Sequence, residues 1–315
     1  MQLVVATEEE KRSRDPLTHR AWGQRISQAA WFRREERLRA HPWCGSGMTT
    51  WLWKDEAGAV LASCETFRMR SLRRHEGAEQ EGVGFGVASV FTEERLRGRG
   101  HALAMMQALS AELRRCEPRA HAILLFSEVG ATLYQRAGYE PRLCHDRIFA
   151  VEAAAAAPAE ARWIGEHEVE GALARFALPD APFVAWPTAA QIDWHLERAR
   201  IYAEALGRGL PATCGVELPG ARALWAADYK NERLAILLAE AADPGAAQQL
   251  VQAASAAALA AGLAEVRIWE TPSLPLQPEA GRRVPRDDDA LPMLLPLAPG
   301  VLAEDWRDIP RALWV

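Results

Sequence analysis

The sequence contains no Cys-x-x-Cys pair and no His-x-x-x-His pair. Its five cysteines, Cys44, Cys64, Cys116, Cys144 and Cys214, are odd in number and widely spaced, which argues against a disulfide framework and for a reducing compartment. The one close Cys/His pair, Cys144-His145, makes a poor clamp, because neighbours on an extended chain point to opposite faces; no metal is expected. Lysine is scarce: of 37 basic residues only Lys11, Lys54 and Lys230 are not arginine. The arginines are scattered and the formal net charge is -5, which argues against a general nucleic-acid binder. No secretory signal is visible, since MQLVVATEEEKR has only a short apolar run before its charges. The one long uncharged run, 245-GAAQQLVQAASAAALAAGLA-264, is mostly alanine with glutamines, so it reads as a buried helix and not a bilayer span. The C-terminal RALWV carries no lipidation or retention signal. The cytoplasm is the expected location.

Phosphate-binding signatures of the two commonest kinds are also missing. Walker A requires Gly-Lys-Ser/Thr after its spacer, and the dinucleotide fingerprint requires a third glycine where Leu103 stands. What is there instead is 95-RLRGRGHALAMMQAL-109. A β-branched run, 83-VGFGVASVF-91, precedes it, and Leu103, Met106, Leu109 and Leu113 follow at helical spacing. A strand, a glycine turn and a helix in that order place the free amides of a helix N-terminus in the turn, where phosphate is favoured. Gly98 and Gly100 allow close backbone approach, and Arg97 and Arg99 add charge.

The stretch Arg97-Gly98-Arg99-Gly100-His101-Ala102 resembles the Arg/Gln-x-x-Gly-x-Gly/Ala signature of GCN5-related N-acetyltransferases. A second segment, 122-AILLFSEVGATLYQRAGYEP-141, reads as a strand, a turn and a short helix ended by Gly138, and resembles the other half-motif of that family. The resemblance implies that residues 97 to 102 bind the pyrophosphate of acetyl-CoA and that Tyr134 acts as general acid beside the thioester sulfur. Read alone, Tyr134 is a packing tyrosine. The runs 61-LASCETFRMRSL-72, 87-VASVFTEERLRGRGHALAMM-106 and 125-LFSEVGATLYQRAGYEP-141 further resemble the fungal lysine N6-acetyltransferases, which implies transfer of acetyl to the side-chain amine of free lysine. Its arginine and alanine bias, which points to a GC-rich bacterial genome, departs from the fungal pattern and leaves another acceptor open.

The expected fold class is mixed α/β: a GCN5-related acetyltransferase domain at 1–151, a linker at 152–161 within EAAAAAPAEA, and at 162–315 a degenerate second domain of the same type, a reading drawn from repeated strand, helix and strand order. Leu3 to Thr7 opens a sheet, 24–40 forms an amphipathic helix, and Met48 to Lys54 with Val60 to Phe67 make a hairpin. Residues 68–82, rich in Arg and Glu, read as an exposed loop, and a strand at Arg147 to Val151 closes the first domain. In the second half, a long helix is expected at Thr188 to Leu206, strands at Ala221 to Ala226, Leu234 to Glu240 and 265-EVRIWE-270, and loop at 271–289. Twelve tryptophans suit domain cores and the seam between them, with a few left for an acceptor pocket.

An amine of pKa about 10.4 must lose a proton before it attacks a thioester. Glu65 and Glu128 are the candidate bases, Glu65 preferred because strand alternation can turn it toward substrate. A cysteine nucleophile is not required, since the amine can attack directly. In the family a main-chain N–H near Val90 lies beside the acetyl group and would stabilise the oxyanion. For a free amino acid the second domain would supply the remaining contacts; Trp225, Asp228 and Glu270 are candidates by position, and the segment at Arg73, Arg74 and His75 is another possible wall. A small-molecule amine is the expected partner, with no nucleic acid and no membrane; another amine acceptor, or a non-catalytic acyl-CoA-binding module, are the alternatives. The sequence specifies no oligomeric state.

Overall fold

The computed structural model describes residues 1–315. The chain opens with β1 (Gln2–Val5) and the helices α1 (Glu8–Trp22), α2 (Gln28–Ala40) and α3 (Pro42–Gly47), then runs through β2 (Met48–Lys54), β3 (Val60–His75) and β4 (Ala78–Phe91). Next come α4 (His101–Cys116), β5 (Ala120–Ser127), α5 (Thr132–Arg136), β6 (Glu140–Pro141) and β7 (His145–Ala150). Residues 151–161 form no helix or strand. The second half holds β8 (Arg162–Ile164), α6 (Val169–Leu173), β9 (Phe183–Trp186), α7 (Ala189–Leu206), β10 (Gly215–Leu218), β11 (Ala221–Asp228) and β12 (Arg233–Ala241). It ends with α8 (Pro244–Ala260), β13 (Glu265–Trp269), β14 (Arg282–Pro285) and β15 (Leu291–Pro296).

These strands make two mixed sheets, the α/β architecture expected. The first runs β1-β2-β3-β4-β5-β15-β6 with β9 on the free length of β3, and the second runs β14-β7-β13-β12-β11-β10-β8. Each contains one parallel pair bridged by a helix: β4 and β5 across α4, β12 and β13 across α8. The second half therefore repeats the core unit of the first.

The sheets exchange strands. β7, read from sequence as the last strand of the first domain, pairs with β13 and β14 in the second sheet. In return β15 enters the first sheet, pairing with β5 from Leu291↔Ser127 to Pro296↔Ala122, and β9 pairs with β3. A cut within 152–161 therefore does not separate the two sheets.

Two local expectations are corrected: the expected loop at 271–289 contains the short strand β14, paired with β7, and the segment 68–82 extends β3 and β4. Residues 68–82 are not a loop but the far end of a hairpin, whose exposed charges pair across the strands: Arg70 donates to Glu81 at 2.6 Å and Arg74 to Glu79 at 2.9 Å. The turn needs left-handed backbone at Glu76 (φ 52°) and Gly77 (φ 77°). Arg74 also donates to the carbonyls of Pro179 and Ala181, anchoring the hairpin to the second half. Helix α1 was not foreseen, since its charges mask any apolar face and Pro16 reads as a break. Its start is fixed by a capping box in which Thr7 N donates to Glu10 Oε2 at 2.9 Å and Glu10 N to Thr7 Oγ1.

Tryptophans fill the seam. Trp43 stacks on Phe67 at 5.3 Å between centroids and meets Trp194 edge-on at 5.7 Å, while Phe126 packs against Trp269 and Trp306. No helix is long and apolar enough to cross a membrane.

Candidate active site

The sequence at residues 97–102 folds as a tight entry into α4. Gly98 (φ 75°) and Gly100 (φ 80°) are both left-handed, and a Cβ at either would meet no protein atom within 4 Å. Backbone conformation and open space, not packing, require glycine there. Gly100 is the N-cap and offers no side chain, and no acidic residue lies in the first turn of α4. The first backbone bond into Gly100 comes from Ala104, so the amides of His101, Ala102 and Leu103 lack partners within the helix. The equivalent end of α8 is different: Pro244 occupies its first turn, and the Asp243 carboxylate accepts from Ala246 N at 2.9 Å. One repeat keeps an open anion site and the other fills it with its own carboxylate.

The open loop borders a cavity of about 760 Å³ between the two sheets. Gly98, Gly100, His101, Ala102 and Arg97 line it; Arg99 does not, and is exposed. The wedge in the first sheet leads into the same space. β4 and β5 pair only as far as Val87↔Leu125, although β4 continues to Phe91 and β5 to Ser127. Opposite this opening the β3–β4 ladder breaks register between Ser63/Glu65 and Phe91/Ala88, and Ser89 takes a left-handed φ of 53°. The irregularity falls beside Val90, which lines the cavity.

Tyr134, on α5 behind the end of β5, also lines the cavity and is 6% exposed. Burial raises its pKa above the usual tyrosine value, with nearby Cys64 and Glu128 adding to the shift, so the hydroxyl stays protonated. Tyr139 holds the ring edge-on at 6.1 Å. Cys64 and Cys44 are poor nucleophiles here: burial pushes each thiol up to about 12.

Glu65 lines the cavity but is clamped. Its Oε1 accepts from Arg14 Nη1 at 2.5 Å, while the same guanidinium donates to Ser63 Oγ at 2.7 Å and to the Ser89 carbonyl at 2.8 Å. Arg14 on α1 therefore ties the carboxylate to the strand irregularity, leaving Oε2 free of protein partners. Glu128 lies just beyond β5, exposed on the cavity wall.

Sequence reasoning missed Glu35. It is buried at the cavity with Arg34 as ion-pair partner and Arg39 at 3.8 Å, and burial raises its pKa above the usual glutamate value. A signal was available: Trp31, Glu35 and Leu38 recur at i, i+4 and i+7, which puts a carboxylate on the buried face of α2. Conversely, three acceptor candidates lie elsewhere. Trp225 is in the second core with its indole N–H donating to the Thr213 carbonyl, Asp228 pairs with Arg233 at 2.9 Å behind the cavity, and Glu270 pairs with Arg147 and Arg283. Arg73 and Arg74 bind backbone carbonyls and, with His75, do not line the cavity. No group of three or more His, Cys, Asp or Glu side chains is placed to hold a metal.

A parallel strand pair that splays over a bulge, with an uncapped glycine turn at the following helix, is the arrangement of the GCN5-related N-acetyltransferase fold, and the chain has that fold. Residues 152–295 match the family described as the LYC1 GNAT-like C-terminal domain. Among solved structures, a probable N-acyltransferase from Enterococcus faecalis aligns with a TM-score of 0.60 at 12% identity, covering 94% of this chain and 72% of its own. A GCN5-related N-acetyltransferase from Kribbella flavida aligns at 0.54 and 17% identity, with 93% and 70% covered. A putatively named acetyltransferase from Pyrococcus horikoshii aligns at 0.53 and 11% identity, with 100% and 95% covered. At such identities the likeness is one of fold. No curated protein matches the chain in sequence.

The loop supplies a direct test. Gly100→Val should raise the KM for acetyl-CoA about tenfold, corresponding to ~1.4 kcal/mol of lost binding. The left-handed cap should cost folding about 1–2 kcal/mol, with kcat little changed. An unchanged KM in steady-state assays would remove the loop from cofactor binding.

Proposed function

We propose that this protein is an acetyl-CoA-dependent N-acetyltransferase that acetylates a primary amine of a small molecule, with the N6-amine of free L-lysine as the leading acceptor. The observation that carries the reading is the shared cavity: the uncapped turn at Gly98 and Gly100, the irregular strand at Val90 and the protonated Tyr134 all border one space. The resemblance of residues 61–72, 87–106 and 125–141 to the fungal lysine N6-acetyltransferases supports lysine. Five unpaired cysteines support residence in the reducing cytoplasm.

Acetyl-CoA brings an acyl group already activated as a thioester. The α4 amides with Arg97 hold its phosphates, and the Val90 N–H supports the carbonyl oxygen as charge develops. Glu65, through its free oxygen, or Glu128 takes the amine proton, directly or through water. The amine nitrogen bonds to the carbonyl carbon, the C–S bond breaks, and Tyr134 gives its proton to the departing thiolate.

Release of free CoA thiol across a panel of amines, with mass spectrometry locating the acetyl group, tests this reading. Saturable turnover with L-lysine at N6 supports it, and turnover only with other amines keeps the enzyme class but discards lysine. Binding of acetyl-CoA without turnover on any amine favours the acyl-CoA-binding alternative.

A further inference from the structure

The cavity has two basic regions, and a phosphate-bearing thioester explains only one. Arg97 and Arg136 stand on the side of the glycine turn. On the other side α7 and the turn between β11 and β12, both from the second half, bring Arg198 and Lys230 into the same space. Neither side chain hydrogen-bonds to, or ion-pairs with, any group of the protein, although the neighbouring guanidinium groups are engaged. Arg14 binds Glu65, Arg34 binds Glu35, Arg39 binds Asp15 at 2.7 Å, and Arg233 binds Asp228 at 2.9 Å.

The nearest acids do not neutralise this pair. Asp228 is already held by Arg233, with Arg311 at 3.5 Å, and Glu128 interacts with Arg198 and Lys230 only across the cavity space without a contact. Burial lowers the pKa of both cations, and for Lys230 the Arg198 charge adds to that lowering. Seven Arg and Lys side chains line the cavity against three Glu, so a polycationic acceptor would face repulsion. Two unpaired, half-buried cations are costly until an anion joins them, and a carboxylate fits Arg in a fork and Lys at a point.

We propose that Arg198 and Lys230 form the acceptor-recognition site and bind a carboxylate of the substrate, so that the protein acts on amines carrying a carboxylate, such as amino acids, and rejects diamines and polyamines. This rests on the acetyltransferase reading and assigns the residues that set acceptor class. The pair lines the same cavity as the glycine turn but comes from the other half of the chain, which leaves the amine end of such a substrate to reach the thioester.

The test compares matched amines that differ by the carboxylate: L-lysine with cadaverine, and L-ornithine with putrescine. For wild-type protein kcat/KM should favour the carboxylated member of a pair by about 100-fold or more, because loss of the anion leaves two half-buried cations unpaired. In Arg198→Met combined with Lys230→Met, that ratio should fall below about tenfold, mainly through KM, while Lys230→Arg should restore most of it. Binding is measured in parallel by calorimetry on the CoA-loaded protein with L-lysine, L-ornithine and each diamine, which requires no turnover. Equal or better use of diamines by the wild type overturns the proposal but leaves the acetyltransferase reading standing. A variant that loses acetyl-CoA affinity in place of acceptor selectivity overturns it as well, by assigning the cations to the cofactor phosphates. Absence of both turnover and binding for every carboxylated amine overturns it together with the catalytic reading, provided thermal unfolding shows the proteins folded.

Discussion

Replacing Tyr134 with phenylalanine should lower kcat by about 100-fold or more, the usual scale for losing a positioned proton donor. Acetyl-CoA affinity should stay within about twofold, because the ring still fills its place against Tyr139 and only one oxygen is lost. The argument rests on protonation. Burial, with Cys64 and Glu128 nearby, raises the Tyr134 pKa above its ordinary value, so the hydroxyl keeps its proton across the whole assay range. A raised pKa moves loss of the donor to more alkaline pH, never to less. The ratio of wild-type to variant kcat should therefore be flat from about pH 7 to pH 9, and any alkaline limb in that window belongs to another group. A variant that loses cofactor affinity as steeply as rate would show that Tyr134 packs the site without donating a proton.

Met293→Ala should destabilise the entire protein by about 2–5 kcal/mol. Met293 is 0% exposed and lies among Met105, Met106, Leu109 and Tyr139, the core against which α4 packs. It nevertheless comes from β15, far along the second half of the chain. Because β15 and β9 serve the first sheet while β7 serves the second, urea unfolding should be one transition reported alike by tryptophan fluorescence and by far-ultraviolet dichroism. The substitution should lower the midpoint of that single transition. Two separate transitions, with the first sheet's unchanged by Met293→Ala, would show that β15 is an accessory and not an integral strand.

Much of the site was legible because its signals are local. The glycine turn at Gly98 and Gly100 and the short helix bearing Tyr134 each declare themselves within a few residues. The repeat in the second half was legible as element order, and the absence of arginines and paired glycines near Asp243 matches a helix that caps itself. Contacts between distant segments left no such trace. Strand alternation suffices to turn Glu65 toward the cavity it lines, but its clamp, Arg14, comes from a helix that Pro16 and a highly charged surface conceal. β15 is written LPMLLP, and two prolines in six residues argue against a strand by any local rule. Its partner β5 lies about 170 residues earlier, where no periodicity can point to it. Arg198 and Lys230 look like ordinary surface cations until the two halves are closed on each other.

The exchanged strand also sets a timetable for biosynthesis. The ribosome makes β5 long before it makes β15, so while the second half is being translated the edge of β5 has neither its partner nor β6 beyond it. The half that carries the glycine turn must wait in an incomplete state, with an open strand edge that invites pairing with other nascent chains. Only when residues 291–296 emerge can that edge be closed from within the same molecule. Completion of the cavity is thus coupled to completion of the second half, and a prematurely ended chain is left without the strand that would protect it.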